Sequence, residues 1–149
     1  MSTTEIKTNE WKIYLFSTLL AGLGMWIIGG LYHNLILPTI NEAIHPHHEG
    51  LGITLIAYFI LAFLMTHIYL ISNAKVDTIL KGIKLGVIIG VLWVFPHGLA
   101  MAATHDTSMV YEFKNTFYHM IEQGIGGLII FYALCYFMRK KEINLIKTK

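Results

Sequence analysis

The chain has 149 residues, of which 55% are hydrophobic and 13% charged, and a formal net charge of +2. A soluble domain carries about a quarter of its residues as charges, so this composition excludes an ordinary soluble enzyme. The small basic excess is accounted for by membrane topology below and gives no reason to invoke nucleic acid.

Four apolar stretches account for the imbalance: residues 13–37, 51–72, 80–103 and 117–138. A helix needs about 20 apolar residues to cross a hydrocarbon core of about 30 Å, and each stretch qualifies. None alternates apolar and polar residues as a barrel strand would. The expected fold is therefore all-α: one integral membrane four-helix bundle spanning residues 1–149, with the lipid bilayer as its first partner.

Residues 1–12 are polar and read as frayed or interfacial. The first helix follows Lys7 and Lys12 but is too long for a signal h-region and lacks a cleavage pattern, so it is expected to be retained. It should end near Pro38, where the backbone donor is lost and the preceding residue is restricted. The connection "NEAIHPHHEG" then leads into the second helix, and "SNAKVD" into the third. "THDTSMVYEFKN" is expected to begin as a loop and become helical before the fourth helix, which runs into a basic tail.

Lys7, Lys12, Lys75, Lys81, Lys84, Arg139, Lys140, Lys141, Lys147 and Lys149 fall on one side of this arrangement, and only Lys114 on the other. The positive-inside rule then puts both termini in the cytoplasm. Cys135, the single cysteine, excludes an internal disulfide and any paired-cysteine metal or redox site.

The third helix carries Gly82, Gly86 and Gly90, followed by Trp93 and His97. On a regular helix these spacings keep all five on one stripe and leave Gly98 off it, and small residues four apart let membrane helices approach closely. Gly22, Gly29 and His33 share a face of the first helix, and His119, Glu122 and Gly126 a face of the fourth.

Each helix carries one histidine: His33, His67, His97 and His119. Counted at 1.5 Å per residue, His33, His97 and His119 all fall within roughly 3–9 Å of the outer boundary, with Glu122 a turn deeper. A carboxylate in hydrocarbon is tolerated when it is neutralised, hydrogen-bonded or bound to a cation. His33, His97, His119 and Glu122 therefore form a candidate metal site with three nitrogens and one oxygen, suited to Zn²⁺, Fe²⁺ or Mn²⁺. Pro96 can kink the third helix where His97 is presented. Glu122 can alternatively serve as a base beside the metal.

Haem b is a competing use, with His33 and His97 as axial ligands and nearby glycines making room. The loop histidines His45, His47 and His48 with Glu49, and His105 with Asp106, would suit capture of a divalent ion. Neither "HHEG" nor "HMIEQ" is a zinc-protease motif, and no serine lies near the cluster for a triad. Whether the protein is an enzyme is left open by these residues. Two further readings use the same cluster: a divalent-metal or proton transporter working as a homo-oligomer, and a non-catalytic accessory subunit of a larger membrane complex.

"GGLYHNLILP" in the first helix, the glycine-rich third helix and "FYHMIEQGIGGLI" opening the fourth together resemble the four-helix bacterial membrane family named domain of unknown function 1761. The resemblance is carried by Tyr32 and by Tyr118–His119. It implies a four-helix membrane fold and no activity, and it says nothing of a metal.

Overall fold

The computed structural model describes residues 3–36, 50–72, 78–104 and 108–147, with side chains described within 11–36, 50–72, 78–104 and 108–137. Among the described residues there are four α-helices: α1 (Thr3–Leu31), α2 (Leu51–Ile71), α3 (Ile79–Thr104) and α4 (Met109–Lys147). A π-helical turn, Tyr32–Ile36, continues α1. Each of the four is long and apolar enough to cross a membrane, as Trp11–Ile36, Leu51–Ile71, Ile79–Thr104 and Met109–Phe137. No strand occurs among the described residues.

Two boundaries differ from the sequence reading. Helix α1 begins at Thr3, so the polar N-terminal stretch is helical. Helix α4 begins at Met109, because the stretch read as a loop becomes helical almost at once. Neither stretch contains a proline or glycine, and a helix once nucleated extends through polar residues at little cost. The expected end of α1 at Pro38 lies outside the described residues.

The helices pack in the spatial order α2–α1–α4–α3, with only slight contact of α2 with α3 and α4 and none between α1 and α3 among the described residues. The core between α1, α2 and α4 contains Ala21, Met25, Leu61, Ala62, Met65, Ile130 and Leu134. Many large apolar side chains remain exposed, including Leu19, Leu23, Ile53, Ile56, Leu80 and Leu92. Outward-facing leucine and isoleucine are favourable only if hydrocarbon surrounds the bundle.

Glycines set the closest approaches. A Cβ at Gly86 would overlap the Gln123 carbonyl oxygen and lie 2.6 Å from its carbon, and one at Gly90 would lie 2.6 Å from the His119 oxygen. On α1, a Cβ at Gly22 would meet Phe59 Cα at 3.3 Å. Gly82, Gly86, Gly90, Val94 and Gly98 are the buried residues of α3, whereas Trp93 and His97 are exposed. The expected continuation through Trp93 and His97 is thus corrected: the seam follows the strict i+4 row into Val94 and Gly98. The physical reason is ridge packing. When i±4 rows of two helices interdigitate, the contact line tilts about 26° from the axis and winds around the helix instead of running along it. Residues at +3 and +7 from Gly90 then rotate out of the seam.

Candidate functional site

Glu122 lies on the inner face of α4 and is 0% exposed. Its neighbours come from three elements. Helix α2 supplies Tyr58, whose hydroxyl donates to Glu122 Oε1 at 2.6 Å. From α4 itself, the Tyr118 hydroxyl donates to Oε1 at 3.2 Å, and His119 Nδ1 lies 2.7 Å from Oε2. Tyr118, His119 and Glu122 meet because residues three and four apart share a helix face. The Gln123 side-chain amide, turned so that its nitrogen faces acceptors, donates to Oε2 at 3.1 Å and to the His119 carbonyl at 3.1 Å.

Helix α1 contributes an absence of bulk. A Cβ at Gly29 would overlap the Tyr58 hydroxyl and lie 2.7 Å from Glu122 Oε1. Only glycine lets the tyrosine of α2 pass α1 to reach the carboxylate on α4. The π-helical turn beyond Gly29 then presents Tyr32 and His33 to α4. Tyr32 stacks on Tyr118 with ring centroids 3.5 Å apart, and the rings of His33 and His119 are 6.1 Å apart. Inside the turn, Asn34 Nδ2 donates to the Gly30 carbonyl at 2.8 Å. A π turn rotates the following side chains relative to an α-helix, and such turns recur at functional sites.

Each carboxylate oxygen therefore faces two donors: Tyr58 and Tyr118 on Oε1, His119 and Gln123 on Oε2. An ionised carboxylate offers about four lone-pair sites, and the protein fills all of them. His119 is the outward member of the pair, its side chain 15% exposed against 0% for Glu122. The arrangement can hold a negative charge in a dry environment and can exchange a proton through the imidazole.

The four expected ligands do not assemble. His33, His119 and Glu122 come together, but His97 stands on the exposed flank of α3, and α4 intervenes between α3 and α1. Among the described residues no three His, Cys, Asp or Glu side chains are placed to hold one metal ion. His33 and His97, the expected axial pair for haem, stand on helices that make no contact among the described residues. His67 is also exposed, on α2. The loop residues His45, His47, His48, Glu49, His105 and Asp106 lie outside the described residues.

Sequence reasoning missed Tyr58, Tyr118 and Gln123 as partners of Glu122. Tyr118 and Gln123 were legible in principle, four residues before Glu122 and one after it on a single helix. Tyr58 carried no local signal.

A second buried carboxylate, Glu112, sits in the first turn of α4, where the helix dipole favours negative charge. A Cβ at Gly98 would lie 2.6 Å from Glu112 Oε2, so Gly98 belongs to the seam it was expected to avoid.

Comparison of the chain with known protein families, with characterised proteins and with solved structures finds no match.

Proposed function

We propose that this is a multi-pass protein of the bacterial inner membrane, with both termini cytoplasmic, that binds and releases a proton at the Glu122–His119 pair and couples it to transport as an oligomer. One observation carries the reading: a fully buried glutamate whose four lone pairs all meet protein donors, one of them a histidine nitrogen. Ionisable groups in membrane helices that pair with each other mark proton and ion pathways.

With His119 carrying protons on both ring nitrogens, the pair is an imidazolium–carboxylate ion pair. Loss of the second ring proton leaves a neutral imidazole still donating through Nδ1 to Glu122. A proton delivered to the carboxylate instead turns one oxygen into a donor, and one of the four present donors must then rotate away or lose its partner. Tyr58 and Tyr118 can do this by turning their hydroxyls, so the site tolerates both states without backbone movement. The titratable groups around the carboxylate are Tyr58 from α2, Tyr118 and His119 from α4, and His33 from the π turn.

Orientation rests on the division of basic residues between the two sides. It puts the pair in the outer leaflet. An oligomer is supported by the open α2–α1–α4–α3 order, which leaves α2 and α3 largely uncovered. Kinship with the four-helix family of domain of unknown function 1761 belongs to the same proposal. It is supported by Tyr32 and Tyr118, the residues carrying the resemblance, which stack on each other.

The test is infrared difference spectroscopy of the protein in lipid, titrated between about pH 4 and 9, the range that brackets carboxylate and imidazole protonation. A carboxyl band that changes with pH in the wild type and is missing in Glu122→Gln is expected. A wild type with no pH-dependent band assignable to Glu122 would sink the proton site.

A further inference from the structure

The core formed by α1, α2 and α4 contains a second polar layer, on the far side of an apolar one. Thr18 Oγ1 on α1, and Thr66 Oγ1 and Tyr69 OH on α2, are buried and make no hydrogen bond to the protein. All three residues are at most 5% exposed. A hydroxyl in a helix ordinarily turns back to the carbonyl four residues earlier, as Ser17 does to Ile13 at 2.8 Å and Thr116 to Glu112 at 2.8 Å. Thr18 and Thr66 decline that partner while surrounded by protein.

The three hydroxyls follow one another in depth. Gly22 lies against Phe59, and Tyr14 donates to the Phe63 carbonyl at 3.0 Å. This antiparallel register puts Thr18 near the level of residues 62–63, with Thr66 about one turn beyond and Tyr69 about one turn further. Cys135 of α4 packs against the apolar core cluster that includes Tyr69.

Between this layer and Glu122 stand Ala21, Met25 and Ile130, each 0% exposed. Thr18 is eleven positions from Gly29, the residue touching the Glu122 site, which corresponds to about 16 Å along α1. A proton cannot pass such a gap without a chain of hydrogen-bonded groups. Met25 occupies its middle. Its sulfur fills the space that a side chain at Gly126 would take, and its Cγ lies 2.9 Å from that Cβ position. Ala21 and Ala62, which share its core cluster, are small. Methionine is unbranched, with three rotatable bonds, so it can leave this space without moving a helix.

We propose that Thr18, Thr66 and Tyr69 form a water-binding site in the cytoplasmic half of the core, and that Met25 is the gate separating it from Glu122. This rests on the reading of Glu122–His119 as a proton site. With Met25 in place, the pair exchanges protons with its own side of the membrane only. With Met25 displaced, water held by the three hydroxyls reaches towards Glu122, and a proton entering at His119 is balanced by one released beyond Tyr69. No bond other than those to the proton changes. Water is the fitting ligand because it both donates to and accepts from hydroxyls and needs only two to four polar partners.

The test uses the full chain in proteoliposomes of defined orientation with a trapped pH-sensitive dye, a pH step and a potassium ionophore. Met25→Ala should speed proton entry by at least about tenfold, equivalent to a barrier lowered by about 1.4 kcal/mol, while Met25→Leu should behave as wild type. Adding Thr18→Val and Thr66→Val to Met25→Ala should return the slow rate, since shape is kept and the hydroxyls are lost. Adding Glu122→Gln should do the same. Met25→Ala no faster than Met25→Leu overturns the gate, and a fast rate insensitive to the valine pair overturns the water site. If the Glu122 infrared band titrates while either of these results is found, the inference fails and the proton site stands. If the valine pair slows Met25→Ala but Glu122→Gln does not, the water site and gate stand and the role of Glu122 falls. The wild type alone supplies a second measurement should Met25→Ala not reconstitute. Its Glu122 band should follow the pH on the His119 side only, and a response to the opposite side overturns the gate.

Discussion

Gly86→Ala should destabilise the protein while Gly30→Ala should stabilise it. At Gly86 an added Cβ would lie 2.6 Å from the Gln123 carbonyl carbon and 2.9 Å from Gly124 Cα. Both are backbone atoms of a regular helix and cannot rotate aside. Ordinary carbon contact is about 3.5 Å or more, so α3 and α4 must separate by roughly 1 Å. A gap of that size forfeits a quarter to a half of each dispersion contact, and the loss runs along the seam from Gly82–Gly127 to Gly90–His119. Forced overpacking costs about 1–3 kcal/mol by itself. With the seam opened, about 2–4 kcal/mol is expected after the better helix propensity of alanine is credited. At Gly30 nothing lies within 4 Å of the Cβ position, so only propensity acts, giving a gain of about 0.5–1 kcal/mol. Reversible unfolding in mixed micelles, followed by circular dichroism, measures both. Equal stability of the two variants, or a Gly86→Ala protein as stable as wild type, would refute the close α3–α4 seam.

Tyr58→Phe removes the 2.6 Å bond to Glu122 and should cost about 1.5–3 kcal/mol, as expected for a bond to a charged acceptor, with Tyr118→Phe at 3.2 Å costing less. The reverse order in the same unfolding assay would contradict the geometry. His97→Ala should leave the melting temperature within about 1 °C of wild type, because the side chain is exposed and joins no cluster. Chelator should leave wild type and His119→Ala unchanged, and a chelator-dependent fall in wild-type melting temperature would restore the metal site. A reporter fused at the C terminus should read cytoplasmic and one inserted near Gly50 non-cytoplasmic, following the basic residues. A cytoplasmic reading at Gly50 would invert the proposed sidedness of Glu122.

The four helices were legible in the sequence because hydrophobicity over about 20 residues is a local property that a bilayer reads directly. That Glu122 must find partners was legible too, since a carboxylate in an apolar stretch requires them wherever it lies. His119 followed from helical periodicity alone, three residues away on the same face. What the sequence did not determine was which partners arrive from other helices. Tyr58 reaches Glu122 only because Gly29 clears its path, and that meeting depends on the antiparallel register of α1 and α2. His97 shows the opposite case. Its depth and spacing suited a ligand, but ridge packing of α3 on α4 turns the seam through Val94 and Gly98 and leaves the imidazole outside. Depth along a helix can be counted from the chain. Rotation about the helix axis is set by the neighbour it packs against, and only the tertiary structure decided it.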